Sequence, residues 1–106
     1  MAELVLVCWR DIPAQIIVKA GRRTAKRQLD DRFQEAIDRA AMRAGLRDTD
    51  GYLGEWRRVT AGECGDDLEA EADAAAARVD ADYPQERLRA LVANGGRQPG
   101  PEEAPE

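Results

Sequence analysis

Residues 7 to 23, VCWRDIPAQIIVKAGRR, hold most of the side chains with which this chain could do chemistry. Cys8 is a thiol, Trp9 stands beside Arg10 and Asp11, and Lys19, Arg22, Arg23, Lys26 and Arg27 gather cations around Gly21. Guanidinium forks bind phosphate and carboxylate groups through paired hydrogen bonds. The basic run could therefore hold an anionic small ligand, an acidic protein surface or a nucleic-acid backbone. The bland alternative is a solvated edge, neutralised by acids of the same molecule or of an oligomer. A second pairing, Trp56-Arg57-Arg58, repeats the first, and tryptophan and arginine dominate the centres of protein interfaces. Both tryptophans, with Tyr52, also suit a core otherwise built from alanine, and core anchoring is the favoured reading.

Composition excludes the commoner catalytic routes. The chain has no histidine, which removes Ser-His-Asp and Cys-His catalysis and the usual base near neutral pH. Its two cysteines lie far apart, so neither a tetrahedral zinc site nor a His-carboxylate iron site can be assembled, and no cofactor is expected. No phosphate-loop or dinucleotide glycine pattern occurs. Cys64 precedes a helix, a position that lowers a thiol pKa, but its acidic neighbours work the other way, so it reads as an ordinary thiol. Cys8 reads as core. A carboxylate or lysine site has no pair spaced to nominate, so no independent activity is expected.

The charge is lopsided. Residues 1 to 60 carry twelve Lys or Arg against nine Asp or Glu, and residues 61 to 106 carry four against twelve. Net acidity, and the lack of aromatics among the basic residues, disfavour nucleic acid as the main partner.

Periodicity supplies the elements that must position these groups. The apolar run 3–9 reads as a strand and the β-branched run 14–20 as its hairpin mate, with Pro13 at the turn or at an edge position that needs no amide donor. From Leu29 the period becomes helical, with Phe33, Ile37, Ala40, Ala41 and Ala44 on one face. Asp30 or Asp31 can cap that helix, Gln34 can close a capping box from Asp31, and Gly45 suits the position just past its end. Asp48 to Gly51 reads as a turn, followed by either a helical turn or, the favoured reading, a third strand over 55–60. Alanine-rich residues 66–82 predict a second helix, and Pro84 opens a third that ends near Asn94. The fold class is α+β: a small antiparallel sheet, a hairpin plus a third strand, packed against two to three helices. A mixed βαβ arrangement and a mainly helical domain with one hairpin are the alternatives. Residues 1–94 form a single domain, and 95–106, rich in proline, glycine and acid, are expected to be disordered.

Glu3 stands where a secretory signal carries a cation, the first apolar run is too short for one, and no stretch approaches a membrane span. With thiols too few for a disulfide scaffold, the expected location is cytoplasmic.

The segments WRDIPAQIIVKAGRR, LDDRFQEAIDRAAMRAGL and DGYLGEWRR together resemble a small bacterial family described as the virulence factor domain, over about Leu4 to Arg58. Stand-alone members of that family are similar to products encoded beside folate-dependent and corrinoid-dependent methyl-transfer enzymes. The resemblance thus implies an accessory role in one-carbon metabolism or virulence, with a one-carbon enzyme as a partner, and supplies no catalytic residues. Taken with the residue pattern, the expected function is a non-catalytic module that meets a protein partner or anionic ligand. Its expected contact residues are Trp9, Arg10, Asp11, Arg22, Arg23, Lys26, Arg27, Trp56, Arg57 and Arg58. A small subunit completing a methyl-transfer enzyme and a nucleic-acid-linked regulator are the competing readings.

Overall fold

The computed structural model describes residues 2–46 and 49–97. Four strands and four helices follow in the order β1 (Ala2–Trp9), β2 (Ile12–Ala20), β3 (Arg23–Gln28), α1 (Asp31–Arg43), α2 (Thr49–Leu53), β4 (Trp56–Cys64), α3 (Leu68–Asp82) and α4 (Gln85–Ala93). The strands form one antiparallel sheet in the order β3-β2-β1-β4. The α+β class holds, and because β4 runs antiparallel to β1 the mixed βαβ arrangement is excluded.

The β1–β2 hairpin turns at Arg10-Asp11, so Pro13 lies inside β2, an internal strand, and not at the turn. The sheet tolerates it because the register shifts there: Cys8 faces Pro13 while Val7 faces Gln15. Ala14 is thereby left over, and its carbonyl accepts from the Leu29 amide at 3.1 Å as the chain passes towards α1.

The basic run after Gly21, for which the sequence predicts no strand, is the edge strand β3. Its rungs pair Ile16 with Arg27, Ile17 with Lys26 and Val18 with Ala25. Arg27 reaches Glu69 and Asp73 of α3, so its face of the sheet bears the helices. Strict alternation then puts Lys26, Ile17, Val5 and Thr60 on the opposite, outer face, with Gln28, Gln15, Val7 and Arg58 as the next rung. Val5 and Ile17 are buried there, apart from the main core.

That core gathers Trp9, Ile12, Ile16 and Val18 of the sheet, Phe33, Ile37 and Ala40 of α1, Leu68, Ala72 and Ala75 of α3, and Leu88 and Leu91 of α4. Asp30 caps α1 by accepting from the Arg32 amide at 3.2 Å, and Gly45 follows its end at φ 76°, as the sequence predicts. Gln34 bonds Asp38 instead of closing a capping box. Asp67 caps α3, and Pro84 stands at the N-cap of α4, outside the first helical position that a proline opening a helix is expected to take. The expected turn over Asp48 to Gly51 is replaced from Thr49 by the short helix α2, and the strand favoured after it is β4, beginning at Trp56. The helices sit over β2 and β3, whereas β4 is held chiefly by β1. Among the described residues no helix is long and apolar enough to cross a membrane. Residues 98–106 of the expected tail, and Asp48, lie outside the described residues.

Candidate binding surface

The Trp-Arg-Asp turn and the second Trp-Arg pairing are brought together, but they are turned on each other. The Arg10 and Asp11 amides donate to the Glu55 and Gly96 carbonyls at 3.1 and 2.8 Å. Arg10, at φ 52°, sends Nη1 to the Gly95 carbonyl at 2.8 Å and holds Nε 3.3 Å from a Glu55 carboxylate oxygen. Arg57 closes the other side, with Nε donating to the Arg10 carbonyl at 3.1 Å and Nη2 to Asp11 at 2.8 Å. One tight turn thus ties the hairpin to the start of β4 and to the residues after α4. Gly95 and Gly96, assigned by composition to the tail, belong to this knot.

Trp9 beneath it is 0% exposed. Its Nε1 donates to the Tyr52 carbonyl at 2.8 Å, and the two rings stack with centroids 5.9 Å apart. Tyr52 in turn meets Trp56 edge-on at 6.0 Å. The expectation that Trp9 forms the packed centre of a partner contact is corrected: it has no surface with which to touch one. Trp56, Asp11, Tyr52 and Glu55 are half-buried and Arg57 is exposed, so the cluster offers its rim and not Trp9 to the outside.

The basic cluster divides in the same way. Arg27 is committed to Glu69 at 2.5 Å and Asp73 at 2.6 Å, which is internal compensation between the basic and acidic halves. Lys19 lies 3.6 Å from Glu3. Arg22, Arg23 and Lys26 are exposed and have no ion-pair partner among the described residues. Lys26 shares the outer sheet face with Arg58, also exposed. The accessible charge is therefore the β2–β3 turn and the outer face, with Arg10 and Arg27 withdrawn from it.

No arrangement here activates a nucleophile. Burial pushes the Cys8 thiol up to about 11 from its ordinary 9.0, against the opposing pull of Arg57 and with a further push from Asp11. Burial also raises the Cys64 thiol, helped by Glu71 and Asp66. Both cysteines are free. Among the described residues no group of three or more His, Cys, Asp or Glu could hold a metal ion.

The Cys8 shift makes a prediction with a defined sign. Folding keeps the thiol protonated, so its stabilising contribution is fully present below pH 9.0 and is lost as pH rises through about 11. Denaturation curves across that range should show a falling midpoint, and Cys8→Ala should decline less steeply. The remaining decline comes from Cys64 and Tyr83, whose thiol and phenol burial also raises. Parallel declines in the two proteins would show that Cys8 contributes nothing.

A second cationic region lies between α1 and α4. The two helices run parallel: Arg32 at the start of α1 bonds the Tyr83 carbonyl, and Arg43 at its end donates to the Ala93 carbonyl at 3.1 Å. Between them is a groove of about 220 Å³ whose lining includes Arg39, Arg43, Arg89, Ala36, Leu88 and Val92. Arg39 and Arg43 lie off the apolar face that the sequence predicts for α1. Their spacing with Arg32, seven and then four residues, is the signal of a shared stripe. Nothing in the sequence places Arg89 opposite.

A four-stranded antiparallel sheet with helices over one face, a closed turn cluster and two separate groups of cations with no ion-pair partner among the described residues define a small α+β protein. The family model described as virulence factor matches residues 7–92, and the chain belongs to that family. The match continues through α3 and most of α4, so residues 61–92, beyond the stretch that carries the resemblance in sequence, are part of the family's domain. No curated protein and no solved structure matches the chain.

Proposed function

We propose that the protein is a non-catalytic accessory module that docks an acidic surface of a partner protein through the β2–β3 turn and the outer sheet face. The observation that carries this reading is the state of Arg22, Arg23 and Lys26. In a chain of net charge -5 they have no ion-pair partner among the described residues, while Arg27 in the same strand is clamped by two carboxylates. Unpaired cations on a rigid turn steer an acidic partner and select against basic ones. Arg58 extends the same charge across the sheet, beside Val7. The family resemblance names enzymes of folate-dependent or corrinoid-dependent methyl transfer as the first partners to try.

The test is capture of such an enzyme, or of another defined assembly, by the tagged protein at physiological salt. Arg22→Glu/Arg23→Glu should weaken it at least about tenfold, since two exposed charges reverse sign without disturbing a buried contact. Undiminished capture by the variant removes the turn from the contact. Salt-sensitive recovery of nucleic acid in place of protein would favour the regulator reading.

A further inference from the structure

We propose that the groove between α1 and α4 binds a small organic anion with a doubly charged head, phosphomonoester or dicarboxylate, on a short apolar body. This site uses none of the cations assigned to partner docking. Its floor is apolar: Ala36 and Leu88 are 5% and 1% exposed, with Val92 half-buried beside them. Arg39, Arg43 and Arg89 stand over that floor, and Glu35 is the one acid among the lining residues. Arg39 and Arg89 have no ion-pair partner among the described residues. Arg43 spends its Nε on the Ala93 carbonyl, which fixes the side chain along the groove. Arg32 differs, because Asp80 at 2.8 Å and backbone carbonyls already use its guanidinium.

Three cations converging on one groove repel each other, and in an acid-rich chain carboxylates are available to relieve them. Glu35 offsets one of these charges and Asp80 serves Arg32, so the groove keeps a net positive charge. A doubly charged head can be shared by two guanidinium forks, and the apolar floor adds burial of a short carbon body. A volume of about 220 Å³ limits that body to something smaller than the usual drug-sized ligand.

Phenyl phosphate is a suitable probe, with inorganic phosphate as control, followed by amide chemical shifts in the full chain. Phenyl phosphate should move resonances of 36–43 and 88–93 and saturate below about 10 mM. Arg39→Gln/Arg89→Gln, both exposed positions, should weaken that binding at least about tenfold with an unchanged circular dichroism spectrum. Arg22→Glu/Arg23→Glu should leave it unaltered, so this site can fail while partner docking stands, and the reverse. No shifts in the groove at 10 mM, or shifts confined to the β2–β3 turn, overturn the proposal. An equal response to inorganic phosphate overturns it too, as that is an adventitious ion only.

Discussion

Trp9→Ala should lose about 3 to 5 kcal/mol of folding stability, read as a drop in the urea midpoint at unchanged slope. The side chain is 0% exposed, and its removal opens a hole bounded by Tyr52, Ala40 and Gly96. It also removes the shorter of the two hydrogen bonds to the Tyr52 carbonyl, leaving the Glu55 amide at 3.3 Å, and takes from Arg10 the ring whose centroid lies 5.1 Å from its guanidinium carbon. Small domains hold about 5 to 15 kcal/mol in total, so the loss takes a large share of it. Trp9→Phe keeps most of the apolar area and loses the hydrogen bond, so its loss should be nearer 1 to 3 kcal/mol. If Trp9→Ala fell by less than about 1 kcal/mol, the ring would not be the enclosed anchor described above.

Gly96→Ala should be nearly as damaging, although it adds a single methyl group. Gly96 adopts φ 92°, which side-chain-bearing residues rarely occupy, and a Cβ there would stand 2.8 Å from Cζ3 and 3.2 Å from Cε3 of Trp9. The ring cannot yield, because its far side is held by the bond to Tyr52. Backbone strain of about 1 to 2 kcal/mol and overpacking of about 1 to 3 kcal/mol together give about 2 to 5 kcal/mol. Gly45→Ala separates the two causes: φ is 76° but nothing lies within 4 Å of the added carbon. That variant should lose only about 1 to 2 kcal/mol, the strain alone. Equal losses at the two positions would remove the contact with Trp9 from the account.

Both effects centre on a region the sequence displays only in part. Arg10-Asp11 is legible as a turn between two apolar runs, and α1 is legible at both ends, because local pattern and capping chemistry decide them. The partners of the turn at Glu55, Arg57, Gly95 and Gly96 are set by tertiary packing, and a pair of glycines before prolines looks like the start of a tail. Strand β3 was missed for a different reason. Its core face offers Ala25 as the one apolar residue, flanked by Arg23 and Arg27, so alternation is written almost entirely in charge. The two-residue turn between paired Ala20 and Arg23 was the available sign. The α1/α4 groove is less legible still, because it requires two helices far apart in the chain to run parallel.

The position of β4 beside β1 also has a consequence in time. β1 pairs on one side with β2, its neighbour in the chain, and on the other with a strand that emerges from the ribosome only after residues 10 to 55 have been made. Until then the run from Ala2 to Trp9, the most continuously apolar strand of the protein, is an open edge able to take up strands from other chains. Synthesis therefore passes through an interval of aggregation risk that ends when Trp56–Cys64 closes the sheet. Conditions that slow synthesis while Trp56–Cys64 is still inside the ribosome should lower the soluble yield more than a delay after it has emerged.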